Sequence, residues 1–248
     1  MKAENKSIIK FIIFNVIFVI AAVLLILLGL CPKLHSGFID YADTSEVTDK
    51  IYVIIDAGHG GEDGGAQAAS GLCEKDINLD IAKKLYTLLK LSDYTPVLVR
   101  DNDRLMYRAG EESRKKYYDI KNRVDFANDY PNAVFISIHQ NKFPIEKYRG
   151  FQVWYSKNNE SSRIYADLVQ NNVKSLLQSE NNRLSKQADR KIKVLDSLNM
   201  PAILAECGFL SNADEAALLA DENYRNKLAF LLYMSTVEFL EKWENYEK

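Results

Sequence analysis

Two of the three histidines in this chain of 248 residues, His59 and His139, stand at or just after short runs rich in β-branched residues, IYVIID and VFISIH. Glu206 closes a third short run, the apolar AILAE, and Glu74 sits just ahead of a stretch with helical periodicity that begins near Asp76. Two histidines and a carboxylate from separate elements are the donor set of an open zinc site, in which three protein ligands leave a fourth position for water. Spacing does not carry this reading. His59 and Glu74 are separated by a glycine-rich loop, His139 lies far downstream, and no HExxH occurs. Convergence carries it instead, because sites in open α/β sheets gather outside the carboxyl ends of the strands. The remaining histidine, His35, lies close behind an apolar N-terminal run and is assigned no chemistry.

Each of these residues also has a plain structural reading. A strand-end histidine can simply be hydrogen-bonded, and Glu74 would favour a helix N-terminus through the helix dipole. Glu206 is harder to dismiss, because AILAECGF around it is otherwise apolar. Burying a carboxylate there is costly unless it is paired, hydrogen-bonded or functional. The loop GHGGEDGG, residues 58–65, lacks the Gly-Lys-Ser/Thr of a phosphate cradle, and a GxGxxG begun at Gly58 fails at Asp63. Glycine there lets the backbone turn sharply and approach a metal or substrate closely.

The elements that must position these groups follow from periodicity. Strands are expected at 51–56, 96–100, 134–139, 150–155 and 202–206. Ile77, Ile81, Leu85 and Leu88 predict a helix over 76–91, and Tyr117, Ile120, Val124 and Ala127 predict another, ended by Pro131. Further helices are expected through Tyr165, Leu168, Val169, Val173 and Leu176, and over 222–243. Strands alternating with helices describe one α/β domain over residues 51–248, with a central mostly parallel or mixed sheet and helices on both faces.

Before this domain, residues 11–30 (FIIFNVIFVIAAVLLILLGL) are uncharged and would rise roughly 30 Å as a helix, the thickness of the hydrocarbon layer. They are expected to form one N-terminal transmembrane helix, read as a retained anchor, with a cleaved signal segment and a secreted domain as the alternative. Lys2, Lys6 and Lys10 place residues 1–10 in the cytoplasm and the remainder outside. Polar, acidic residues 31–50 read as a stalk. The formal charge of −2 excludes a polycation that coats nucleic acid. An oxidising compartment would permit a Cys73–Cys207 bridge, though two free buried thiols are the simpler expectation.

Four ordered blocks, IIDAGHGGEDGGA, GLCEKDINLDIAKKL, FISIHQNKF and MPAILAECGFLSN, make the chain resemble the zinc-dependent N-acetylmuramoyl-L-alanine amidases often called amidase 3. The resemblance covers about residues 51–246. By position it puts His59, Glu74 and His139 on the family's zinc (Zn2+) ligands and Glu206 on its catalytic carboxylate. Gln140 stands where the family often has alanine or leucine, and Asn141 matches a polar position beside the site. The activity implied is hydrolysis of the amide between the lactyl group of muramic acid and L-alanine in peptidoglycan, on the outer side of the membrane. Alternatives are a non-catalytic, zinc-stabilised wall-binding ectodomain and a zinc peptidase cutting within the stem peptide. Only SKNN follows the strand at 150–155, leaving no room for the inserted blocking helix of some members, and no repeated wall-binding module is evident. SRKKYYDIKNR and the N-terminal apolar segment resemble the spore-cortex branch, whose members act in muramic-lactam formation and germination. An activating protein partner is left open. Arg183, Lys186, Arg190, Lys191 and Lys193 could meet peptide carboxylates, though a solvated face is the simpler reading. Trp154 and Tyr155 could stack on sugar, one of them being core.

Overall fold

The computed structural model describes residues 50–246. The expected strands form, with shifted ends: β1 (Tyr52–Ala57), β2 (Thr95–Leu98), β3 (Ala133–Asn141), β4 (Gln152–Tyr155) and β6 (Ala202–Phe209). A two-residue strand β5 (Lys186–Gln187), too short to leave a periodic signal, joins the edge. The order is β2-β1-β3-β6-β4-β5; the first four strands run parallel, and β4 is antiparallel to β6. The sheet is therefore mixed.

Helices cover both faces unequally. Apolar residues of β1, β3 and β6 that point one way (Val53, Ile55, Ala57, Ile136, Ile138, Ile203, Ala205) enter the larger core. Helices α1 (Glu74–Leu91), α3 (Ser161–Leu176) and α6 (Glu222–Tyr246) cover that side. Ile77, Ile81, Leu85 and Leu89 of α1 recur at helical spacing and are buried there. The opposite face holds a smaller core of Ile54, Phe135, Ala202 and Leu204 under α2 (Lys115–Asn128) and the single-turn α4 (Lys193–Asp196). These shorter covers leave the carboxyl ends of β1, β3 and β6 open on that face.

A register shift between His139 and Asn141, opposite Glu206 and Phe209, bulges β6 beside these ends, as is common next to active sites. After β6 comes α5 (Ala213–Ala220), capped by the Asn212 side chain, which accepts a hydrogen bond from the Glu215 amide.

Cys73 and Cys207 are both free thiols; Cys207 is buried, whereas Cys73 is only half-buried. Trp154 and Tyr155 are both half-buried and pack against the two opposite cores. No helix among the described residues is long and apolar enough to cross a membrane. The transmembrane segment expected at 11–30 and nearly all of the stalk expected at 31–50 lie outside the described residues.

Candidate active site

Side-chain alternation brings the site together. Asp56 pairs in register with Ser137, and His139 with Glu206, so all four side chains rise from the same sheet face. Neither His139 nor Glu206 ends its strand as the sequence suggested: β3 continues to Asn141 and β6 to Phe209. Glu74 is the first residue of α1 rather than a residue ahead of it, an acid placed where the helix dipole favours it.

His59, Glu74 and His139 converge, each offering a ligand atom within 4.8 Å of the others, and could hold a metal ion. Glu74 Oε1 lies 3.2 Å from His59 Nε2 and 2.9 Å from His139 Nδ1. Its two oxygens also accept hydrogen bonds from the backbone amides of Gln140, at 3.0 Å, and Ala66, at 2.7 Å. Burial pushes the Glu74 carboxyl up, but the two imidazoles outweigh that and hold it well below the usual carboxylate range. His59 Nδ1 lies 3.0 Å from Asp63 Oδ1, leaving Nε2 facing Glu74. This is the outer carboxylate that commonly orients a metal-binding imidazole. Burial lowers the pKa of His59, yet Glu74 and Asp63 raise it net.

The glycine-rich loop is shaped around these groups. A Cβ on Gly58 would overlap the His139 ring, and one on Gly65, where φ is 68°, would come within 2.5 Å of Glu74 Oε2. His59 itself adopts φ 63°, a conformation uncommon outside glycine. Two buried guanidiniums pin this turn. Arg123 donates to the carbonyls of Ala57 and His59 and pairs with Asp56 and Asp119; Arg100 donates to Ala57 and Gly58. Burial alone would raise the Asp56 carboxyl, but Arg123 and the Ser137 hydroxyl hold it below its ordinary value.

Glu206 faces the same cavity, of about 240 Å³, together with His59 and His139. Burial, reinforced by nearby Glu74 and opposed by the histidines, pushes its carboxyl up to about 7. Its Oε2 is buried without a hydrogen-bond partner among the described residues. Four larger clefts, of about 670, 620, 460 and 320 Å³, contain none of these three residues. The cavity thus sets His59 and His139, two of the three candidate metal donors, beside a carboxyl group poised near neutrality, a set suited to hydrolysis.

A family model described as N-acetylmuramoyl-L-alanine amidase matches residues 53–235, which include every one of these groups. The chain belongs to the N-acetylmuramoyl-L-alanine amidase family. Its activity is hydrolysis of the amide that joins N-acetylmuramic acid to L-alanine in peptidoglycan. It is 32% identical over 190 residues to the germination-specific N-acetylmuramoyl-L-alanine amidase of Bacillus subtilis, covering 75% of this chain and 78% of that one. The CwlD amidase of Clostridioides difficile, solved in complex with the GerS lipoprotein, superposes with a TM-score of 0.73 at 36% identity, covering 77% of this chain and 98% of that one. The amidase AmiC2 of Nostoc punctiforme gives 0.67 at 29% identity, covering 77% and 97%.

The four residues singled out in the sequence are all brought together. Sequence reasoning missed Asp63, Arg100 and Arg123. Asp63 carried a signal, standing four residues after His59 in the glycine loop. The arginines carried none, since the loop carbonyls they hold lie 42 to 66 residues away.

Proposed function

We propose that His59, Glu74 and His139 are the zinc ligands of this amidase and that Glu206 is its catalytic acid–base. The donor set is two imidazoles and one carboxylate, and Gly58 and Gly65 leave room where any side chain would collide with it. Such a set suits zinc and keeps a position open. When bound, zinc supplies Lewis acidity that polarises a carbonyl and makes water nucleophilic near neutral pH.

The chain's own residues supply the rest. Asp63 holds the His59 ring through Nδ1, and the Gln140 and Ala66 amides fix the Glu74 carboxylate. Glu206, whose carboxyl lies near neutrality and whose Oε2 has no partner among the described residues, takes a proton from the attacking water and returns it to the departing L-alanine nitrogen. The orphaned Oε2 of Glu206 is the observation that carries this assignment. A carboxylate kept only for structure would be hydrogen-bonded.

The wall substrate puts the catalytic domain outside the cytoplasm, and residues 11–30 tether it to the membrane. Similarity to the germination-specific relative supports spore-cortex peptidoglycan as the substrate. The full-length protein should hold about one zinc per chain and release stem peptides beginning with L-alanine from peptidoglycan, as read by mass spectrometry. Zinc retained in full by both His59→Ala and His139→Ala would refute the ligands. Products cut only between amino acids would refute the reaction.

A further inference from the structure

Three lysines line the cavity that contains Glu206: Lys116 from the first turn of α2, Lys191, and Lys193 at the start of α4. They come from segments more than seventy residues apart, yet meet at one opening. All three are exposed. Lys191 and Lys193 form no ion pair among the described residues, and Lys116 has only a loose one, 3.8 Å from Asp63 Oδ2. The other oxygen of Asp63 is already engaged by His59. The acids deeper in the cavity do not compensate the rim, because Arg123 pairs with both Asp56 and Asp119. The backbone amide of Lys191 donates to Asp189 Oδ1 at 2.8 Å, which fixes the turn that carries the cations.

Three exposed lysines at one opening stand out on a chain whose formal charge is −2, although the whole lining holds four acids and four bases. Like charges crowded at one mouth repel each other, and an anionic ligand relieves that repulsion. The cavity lining meanwhile carries Glu206, which when ionised would repel an acidic substrate unless cations met it at the entrance.

Resting on the active-site reading above, we infer that Lys116, Lys191 and Lys193 form a carboxylate-binding rim that selects stem peptides with free carboxylates. The amide to be cut lies at the Glu206 end of the cavity, and carboxylates further along the peptide reach the lysines. Flexible point charges suit this task better than a rigid fork, since successive carboxylates differ in position.

The test compares two soluble muropeptides, one with free stem-peptide carboxylates and one with the same groups as carboxamides. Each is assayed with the full-length protein and with its Lys191→Gln/Lys193→Gln variant. The unmodified protein should favour the carboxylate form in kcat/KM about five- to tenfold. In the variant the KM for that form should rise until the preference falls to near one, and Lys191→Glu/Lys193→Glu should invert it. Lys227→Gln, an exposed change outside the cavity, should leave the preference intact. Equal KM values for the two substrates, or a loss in the variant that falls on kcat alone, would overturn the rim. Failure of the unmodified protein to cut either muramoyl amide would instead overturn the active-site reading beneath it.

Discussion

The guanidinium of Arg123 donates through Nη2 to the backbone oxygen of His59, 2.7 Å away, and its Nη1 reaches Ala57 O at 2.8 Å and Asp56 Oδ1 at 2.6 Å. His59 is held at φ 63°, a conformation that costs of order 1–3 kcal/mol in a non-glycine residue and persists only where surroundings fix it. Arg100, also buried, reaches Ala57 O at 2.7 Å and Gly58 O at 3.1 Å. Three successive carbonyls of the turn that presents His59 are therefore tied by two side chains.

Removing the first of these ties should be felt in both fold and metal. Arg123→Ala leaves Asp56 buried and uncompensated, and is expected to cost about 3–5 kcal/mol. Arg123→Lys keeps the charge but cannot reach all the carbonyls, so it should lose less stability while still weakening zinc. Denaturant titration and chelator competition measure the two effects separately; unchanged zinc affinity in Arg123→Lys would disconnect this clamp from the site.

Asp63→Asn tests the orientation of His59. It removes the carboxylate 3.0 Å from Nδ1 and should weaken zinc about 10–100-fold while leaving the melting temperature of the metal-free protein nearly unchanged. An affinity equal to that of the unmodified protein would show that the ring is held by other means.

Gly58→Ala should fold but lose zinc, because the added methyl overlaps the His139 ring rather than any backbone atom. Circular dichroism and metal content check this together. One zinc per chain in a well-folded Gly58→Ala protein would count against the cradle.

The buried carboxyls give the metal-free protein opposite pH dependences. Asp56 is depressed, so its contribution is fully present above about pH 3.8 and is lost as pH falls through its folded value. Glu206 is raised to about 7, so its contribution is complete below about pH 4.5 and is lost as pH rises through 7. Metal-free Glu206→Gln should therefore show a flatter stability profile between pH 5 and 8, and gain on the unmodified protein at pH 8 by about 1–3 kcal/mol. Parallel profiles across that range would remove the case for a perturbed Glu206.

Much of this molecule could be read from its sequence. Short apolar runs marked every long strand, and Ile77, Ile81, Leu85 and Leu88 marked α1, because both signals arise from which face is buried. Leu89 rather than Leu88 takes the last fully buried position of that helix. His59, Glu74, His139 and Glu206 stood out because imidazole and carboxylate groups beside apolar runs demand a reason. The clamp did not stand out. Nothing local distinguishes Arg100 or Arg123 from other arginines, and their role comes from partners that only the tertiary fold supplies. The bulge in β6 was hidden for a similar reason, since AILAECGF reads as one apolar run whether or not its register shifts. The lysines at 191 and 193 read as a solvated face until the fold set them beside Lys116.

The central claim is that Glu206 moves the proton while His59, Glu74 and His139 hold the metal. The most direct measurement is turnover and zinc content of Glu206→Gln on peptidoglycan, with products read by mass spectrometry. The expected result is a fall in kcat of about 10²–10⁴-fold with about one zinc per chain retained. Undiminished release of L-alanine-terminated stem peptides by the zinc-loaded variant would contradict it.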